Sequence, residues 1–258
     1  MAVAVYGVPD NPTSALPERF ERKYYLAPPE VGMAYGLLRQ ICLPAPDYPS
    51  EQINSLYLDT PDLSQHETSE SGDYCKDKVR IRWYGESSKL RGMQPIYLEL
   101  KSRRGFAGTK QRLRLEVPVE TLMPDNLCRG ILPWTLVADA LARFGYFPSD
   151  ILLPIAAVSY WRYRFCEIVT GQRVSLDCRI RSTMMMPGLG IGEDDLELVG
   201  GVVEIKGRTM ELPRALRYAR ILHADWTRFS KYSACIDANA EMPGMIGRLS
   251  PSGRVVQP

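Results

Sequence analysis

From Lys76 to Tyr84 the chain reads Lys-Asp-Lys-Val-Arg-Ile-Arg-Trp-Tyr, an alternation with a period of two residues. Successive side chains of a strand point to opposite faces. This spacing therefore predicts a strand with Lys76, Lys78, Arg80, Arg82 and Tyr84 on one face and Val79, Ile81 and Trp83 on the other. The pattern recurs. Tyr97, Glu99, Lys101 and Arg103 share a face, as do Lys110, Arg112, Arg114 and Glu116, and then Tyr160, Arg162 and Arg164. Val202, Glu204, Lys206 and Arg208 form a fifth such face. Arg173, Ser175, Asp177, Arg179 and Arg181 form a sixth, backed by Val174, Leu176, Cys178 and Ile180. One such strand is ordinarily the solvated side of an antiparallel sheet; here cations predominate on all six.

The rest of the pattern gives the order of elements. Arg19–Leu26 alternates as a short strand, Pro28 and Pro29 pre-set a helix start, and Val31–Ile41 places Tyr35, Leu38 and Ile41 at helical spacing. Ile53–Asp59 returns to strand and stops at Thr60-Pro61-Asp62. Residues 62–75 are polar and hold Gly72, which predicts a flexible connection. Pro95 leads into a strand over Ile96–Arg103, and Gly105 and Gly108 mark a hairpin into Thr109–Val117. Pro118–Pro133 reads as irregular, Trp134–Phe144 as a helix and Pro154–Phe165 as a long strand, with Thr170-Gly171 turning into Arg173–Arg181. The glycines at 188, 190 and 192 and the acidic residues up to Glu197 read as a loop, Gly201–Gly207 as a strand, and Pro213–His223 and Phe229–Asp237 as helices. Hairpin order with few helices predicts an α+β fold, mainly antiparallel β: an eight-stranded closed tunnel-like barrel with flanking helices. A single domain over residues 16–240 is expected, with residues 1–15 and 241–258 as flexible termini.

Composition and charge sharpen this picture. With 258 residues, 45% apolar and 24% charged, the chain can bury a sizeable core. Its 32 Lys and Arg against 30 Asp and Glu leave a net charge of only +2, so the cations on the strand faces are sorted rather than merely abundant. A surface built for solubility intersperses the signs. Sorted cations make a concentrated field for a polyanion, and like charges on neighbouring strands repel unless an anion lies against them. The opening Met-Ala-Val-Ala-Val-Tyr-Gly has neither a basic leader nor a long apolar run, and no window reaches the roughly 18 apolar residues of a membrane helix. A soluble, cytoplasmic protein without a membrane segment is expected, with room for a membrane-protein partner. Six cysteines without Cys-x-x-Cys spacing signal neither a zinc site nor a redox pair. Two histidines, His66 and His223, exclude a multi-histidine metal centre. The aromatics form no base-stacking pattern, so nucleic acid is not an expected partner.

Eight short pieces then fall in a telling order. Glu21-Arg22-Lys23-Tyr24-Tyr25, Ser55-Leu56-Tyr57-Leu58-Asp59-Thr60, Lys78-Val79-Arg80-Ile81-Arg82-Trp83-Tyr84-Gly85 and Tyr97-Leu98-Glu99-Leu100-Lys101 come first. Tyr160-Trp161-Arg162, Arg173-Val174-Ser175-Leu176-Asp177, Val203-Glu204-Ile205-Lys206 and Phe229-Ser230-Lys231-Tyr232 follow. In this order they resemble the VTC domain of polyphosphate polymerases, within the triphosphate tunnel metalloenzyme superfamily. The resemblance implies a basic-walled tunnel that takes ATP, tripolyphosphate or polyphosphate together with Mn²⁺ or Mg²⁺. Lys23, Arg80, Arg82, Lys101, Arg162, Arg173, Lys206 and Lys231 match the family's phosphate ligands. Arg228 falls where a lysine is usual, and Lys110, Arg112 or Arg114 supplies the basic residue of the fifth strand. Glu204 matches the metal-binding glutamate, with Glu21 beside it and Glu99 and Asp177 as further carboxylates. Arg80, Arg82, Lys206 and Glu204 are the residues expected to carry catalysis. Two positions depart from the pattern: His66-Glu67-Thr68 stands where relatives read His-Glu-Lys, and Arg19 replaces the first glutamate of the opening motif. The implied activity is transfer of the terminal phosphoryl of ATP onto polyphosphate. Hydrolysis of tripolyphosphate and non-catalytic binding of polyphosphate or inositol polyphosphate are the alternatives. Because a bound anion offsets repulsion among the cations, Arg80→Ala and Arg82→Ala are expected to lose phosphate affinity without weakening the free protein.

Overall fold

The structure is a computed structural model that describes residues 20–105, 107–186, 196–208, 211–218, 230–241, 247–249 and 255–256. In chain order its elements are β1 (Phe20–Leu26), α1 (Pro28–Ile41), β2 (Cys42–Pro44), β3 (Ser50–Asp59), α2 (Ser64–Glu70), β4 (Cys75–Tyr84), β5 (Met93–Arg104) and β6 (Ala107–Pro118). There follow α3 (Pro124–Leu127), α4 (Trp134–Arg143), β7 (Leu153–Glu167), β8 (Arg173–Met184), β9 (Leu196–Gly207), α5 (Arg214–Tyr218), α6 (Lys231–Glu241), β10 (Gly247–Leu249) and β11 (Val255–Val256). Two compact units emerge, one built on residues 53–158, the other on residues 20–52, 159–182 and the described residues from 196 onward. No helix among the described residues is long and apolar enough to cross a membrane.

The first unit is a meander in which β3, β4, β5 and β6 pair antiparallel in that order. Its alternation works as the sequence predicts. Val79, Ile81 and Trp83 of β4, Leu98 and Leu100 of β5, and Leu113 and Leu115 of β6 are buried on one face, where Val137, Ala140 and Leu141 of α4 join them. Each large side chain so buried contributes about 1.5–3 kcal/mol, which fixes the register and sends the alternate, charged residues to the other face. The closed eight-stranded barrel is not seen. Among the described residues β6 has β5 as its sole strand partner, so the pairing order is open.

The stretch expected to be a flexible connection holds α2 instead. Its start is built by Asp59, which is fully buried. One carboxylate oxygen accepts from the backbone N–H groups of Thr60 at 2.8 Å and Gln65 at 2.9 Å, and the other from that of His66 at 3.0 Å. The last two are orphan donors of the helix N-terminus, and the first ties down the turn that leads into it. The Gln65 side chain accepts the Val79 N–H at 2.9 Å, and Lys76 and Lys78 reach Ser69 at 2.9 and 2.7 Å, so α2 is clipped onto β4. The Asp59-Thr60 pair of the sequence motif thus serves the fold. Thr68, the departure from the family pattern, donates to the Gln65 carbonyl at 3.3 Å.

In the second unit β9 pairs antiparallel with both β1 and β8. β10 runs parallel beside the start of β9 and pairs with β11, so the tail expected to be flexible carries two strands among its described residues. Tyr24, Leu26, Val174, Leu176, Val203 and Ile205 make the buried face, covered by Ala34 and Leu38 of α1. Pro28 opens that helix, and the Glu30 carboxylate accepts the Ala27 N–H at 2.7 Å. β9 begins inside the expected loop, because Leu196 and Glu197 pair with Ser182 and Arg181 of β8. Of the predicted helix 213–223, α5 covers Arg214–Tyr218; His223 lies outside the described residues.

A bulge sets the phase of β9. Cys178 pairs with Gly201 and Ile180 with Leu198, so Arg179 faces both Val199 and Gly200. By even spacing Leu196, Leu198 and Glu204 would share a face; the extra residue separates them and aims Glu204 and Lys206 away from the buried side. Gly200 makes this possible at φ +97°, where a Cβ would stand 2.5 Å from the Leu26 carbonyl oxygen. Gly200→Ala is therefore expected to cost about 1–3 kcal/mol, read as a lower urea midpoint. An unchanged midpoint would show that the bulge relaxes freely.

Candidate functional site

On the charged face of the first unit, strand register arranges the side chains in rows. Ser55, Arg82, Tyr97 and Arg114 form one row, Tyr57, Arg80, Glu99 and Arg112 the next, and Lys78, Lys101 and Lys110 the third. Directly opposite residues carry Cβ atoms about 4.5–5.5 Å apart, and like charges so placed destabilise a sheet. Glu99 stands at the centre, fully buried. Its Oε2 accepts from Arg80 Nε at 2.8 Å and lies 2.7 Å from Arg80 Nη2 and 3.9 Å from Arg82 Nη1, while Lys110 Nζ stands 2.5 Å from Oε1. Arg80 also donates to Tyr57 Oη and Arg82 to Ser55 Oγ, each at 3.3 Å. Burial alone would raise the Glu99 pKa. Arg80, Arg82 and Lys110 outweigh burial and hold it at about 2. This corrects the expectation about Arg80: its loss leaves a buried carboxylate short of its main partner, so stability falls along with affinity.

A second hub lies in the second unit. Asp177 of β8, with no exposed surface, receives Arg162 of β7 as a fork, Nε to Oδ1 at 2.6 Å and Nη2 to Oδ2 at 2.7 Å. Lys231 of α6 lies 2.6 Å from Oδ2. Arg162 and Lys231 both stand over the Tyr160 ring, 5.3 and 4.8 Å from its centroid, where cations are attracted to the ring face. Arg162 Nη2 continues to Glu204 Oε2 at 3.1 Å, and Lys206 holds Glu204 Oε1 at 2.9 Å. Lys23 pairs with Glu21 at 3.1 Å, and Lys206 comes within 4.0 Å of the same carboxylate. Burial pushes the Glu204 carboxyl up, but Lys206, a hydrogen bond with Glu21, Arg162 and Lys23 together hold it well below the usual range, so it is ionised at neutral pH.

The structure thus gathers Arg80, Arg82, Lys101, Lys110 and Arg112 on one face of the first unit, and Lys23, Arg162, Lys206, Lys231, Glu21 and Glu204 in the second. Arg114 sits at the edge of its row, paired with Glu116 at 3.0 Å. Arg173 is exposed and opposite Lys206 in register. Arg228 lies outside the described residues. The sequence left the carboxylates undivided; the structure separates them. Glu99, Asp177 and Glu204 each have both oxygens engaged by cations, and Glu21 is paired with Lys23 and Lys206; what sets Glu21 and Glu204 apart is their place on adjacent strands around the shared Lys206. Tyr57, which steadies Arg80, stood in the Ser55–Thr60 piece of the family pattern with no role assigned to it.

Among the described residues no three His, Cys, Asp or Glu side chains come together. Mg²⁺ and Mn²⁺ take hard oxygen ligands and need only one or two carboxylates when phosphates supply the rest. The Glu21–Glu204 pair fits that requirement.

Comparison with known proteins places the chain. It is similar in structure to a candidate adenylate cyclase from Bacillus halodurans, with 15% identity over 80% of this chain and 87% of that one, at a TM-score of 0.42. A second candidate adenylate cyclase, from Vibrio parahaemolyticus, shows 12% identity over 79% and 83% of the two chains, at 0.35. No curated protein matches the sequence. The sequence model of the VTC domain matches residues 18–239. That match takes in both charged faces and nearly every described element, and the chain belongs to the VTC domain family.

Proposed function

We propose that the chain is a metal-dependent phosphotransferase of the polyphosphate polymerase kind, moving the terminal phosphoryl of ATP onto a polyphosphate chain. The observation that carries this reading is the row Lys78, Lys101, Lys110, set beside the Arg80–Glu99 row. Three ammonium groups on adjacent strands repel, and a chain of phosphates supplies the regularly spaced negative charge that offsets them. Family membership supports the same ligand class.

Phosphoryl transfer asks little covalent chemistry of a protein; it needs positioning and cations aimed at the phosphate oxygens. Arg80, Arg82 and Arg162 suit paired contacts to phosphate oxygens, and Lys101, Lys110 and Lys206 act as point charges. A terminal oxygen of the polyphosphate attacks the γ-phosphorus of ATP while the β–γ bridge bond breaks, and ADP leaves with the bridging oxygen. Glu204 and Glu21 are the residues to hold Mn²⁺ or Mg²⁺, which when bound neutralises charge on phosphate oxygens. ATP as donor sets this chemistry in the cytoplasm. Hydrolysis of tripolyphosphate is the same displacement with water as acceptor.

Incubation of the protein with ATP and Mn²⁺, followed by gel electrophoresis, tests the reading. Long polyphosphate supports it, inorganic phosphate alone makes the protein a hydrolase, and no turnover with any divalent metal leaves a binder. Arg80→Ala and Arg82→Ala should each weaken tripolyphosphate binding about tenfold or more, since a charge-assisted hydrogen bond is worth about 1.5–3 kcal/mol. Wild-type affinity in both variants, measured by calorimetry, would remove the charged face from the site.

A further inference from the structure

Glu99 is over-supplied with partners. One cation neutralises a carboxylate, yet Arg80, Arg82 and Lys110 all converge on it. Arg112, directly opposite Glu99 in register, leans instead over the Tyr97 ring, 5.1 Å from its centroid. Lys110 differs from the other two. It reaches Glu99 diagonally from the row it shares with Lys78 and Lys101, and its side chain is 43% exposed against 16% for Arg80 and 9% for Arg82. The guanidiniums are steadied by Tyr57 and Ser55. The ammonium is therefore the member that can change partner.

We propose that Glu99 is a positioning residue of the phosphate site, holding Lys110 on the charged face beside Arg80 and Arg82 until a phosphate oxygen takes over the ammonium. This rests on the phosphate-binding reading above. Lys78, Arg80 and Arg82 of β4, Lys101 of β5 and Arg112 of β6 all face the same region, with Tyr57 of β3, and against these cations stands Glu99. Without it, like charge drives Lys110 outward or into its neutral form. Desolvation by the packed face lowers the Lys110 pKa even though the side chain keeps part of its surface, Glu99 raises it, and Arg80 and Arg82 lower it again, leaving it at about 8. Losing Glu99 removes the raising contribution. A purely structural ion pair would shift the Lys110 titration as well, so the readout that separates the two roles is the pH midpoint of phosphate binding.

The test measures tripolyphosphate affinity between about pH 6.5 and 9.5 in the wild type, Glu99→Gln, Glu99→Asp and Lys110→Met. NMR follows the Lys110 ammonium in ligand-free wild type and Glu99→Gln. A terminal phosphate has its second pKa near about 6, so a fall in affinity around pH 8 reports the lysine. The wild type should lose affinity as pH rises through about 8. Glu99→Gln should lose it about one pH unit earlier or more, leaving binding at pH 8 about tenfold weaker. Glu99→Asp should recover most of the midpoint, and Lys110→Met should show a flat profile above neutrality. Glu99→Gln with the wild-type midpoint in binding and in the NMR titration overturns the proposal, even if less of the variant folds. A wild type that fails to bind tripolyphosphate removes the phosphate reading and this proposal with it. The NMR titration tells that result apart from a failure of Glu99 to control Lys110.

Discussion

Asp177→Ala should lower stability by about 3–5 kcal/mol, the range found when one member of a buried ion pair is removed. The carboxylate has no exposed surface and ties together three parts of the second unit: β8 through its own backbone, β7 through the Arg162 fork, and α6 through Lys231. Its loss leaves a guanidinium and an ammonium facing the same ring with no anion between them, although Glu204 still holds one arm of Arg162. Faster amide exchange across Lys231–Glu241 should accompany the drop, because the ion pair anchors the start of that helix. Burial pushes the Asp177 pKa up, but Arg162 and Lys231 outweigh it, so the folded value lies below the ordinary 3.8. The stabilisation is therefore fully present above 3.8 and is lost as pH falls through the folded value. Urea midpoints of the wild type and Asp177→Asn should stay apart above pH 3.8 and converge in stronger acid. A gap below 1 kcal/mol at neutral pH would mean that solvent screens the hub.

Glu204→Gln should separate binding from chemistry. Glutamine keeps the shape and the hydrogen-bonding reach but gives up the charge that would hold a divalent cation. Transition-state stabilisation by a bound metal is worth several kcal/mol, so metal-dependent turnover of ATP should fall by about a hundredfold or more. Tripolyphosphate binding should persist and tighten slightly, because one negative charge leaves a cluster that holds Lys23, Arg162 and Lys206. Turnover equal to wild type, with the variant shown to be folded, would reduce Glu204 to an ion-pair partner.

Much of this was legible in the sequence because the strands of the first unit are buried on one face only. Val79, Ile81 and Trp83 go to the core, so Arg80 and Arg82 have one direction left, and period-two alternation reports it. Helix α2 was not legible. Ser64–Glu70 has no apolar period to find, and its start depends on a buried carboxylate at Asp59 accepting the Gln65 and His66 N–H groups. The division of labour among acidic residues was hidden for a different reason. Glu99 and Glu204 each stand two residues before a lysine, in Glu99-Leu100-Lys101 and Glu204-Ile205-Lys206. Only cross-strand register shows that Glu99 meets Arg80 and Arg112 while Glu204 lies opposite Lys23. The bulge at Gly200 and the part of β9 before it were equally out of reach, whereas the phase of Glu204 and Lys206 was legible because the expected strand starts at Gly201, just past the bulge.

The central claim is that the sorted cations exist to hold a chain of phosphates. A ligand that binds only the native state raises stability by RT ln(1 + [L]/Kd), about 2.7 kcal/mol at a hundredfold excess over Kd. The melting temperature should therefore rise substantially more in tripolyphosphate than in sulfate at matched ionic strength, and the difference should shrink in Arg80→Ala. Equal shifts in the two salts would contradict the account and make the charged faces ordinary solvated surface.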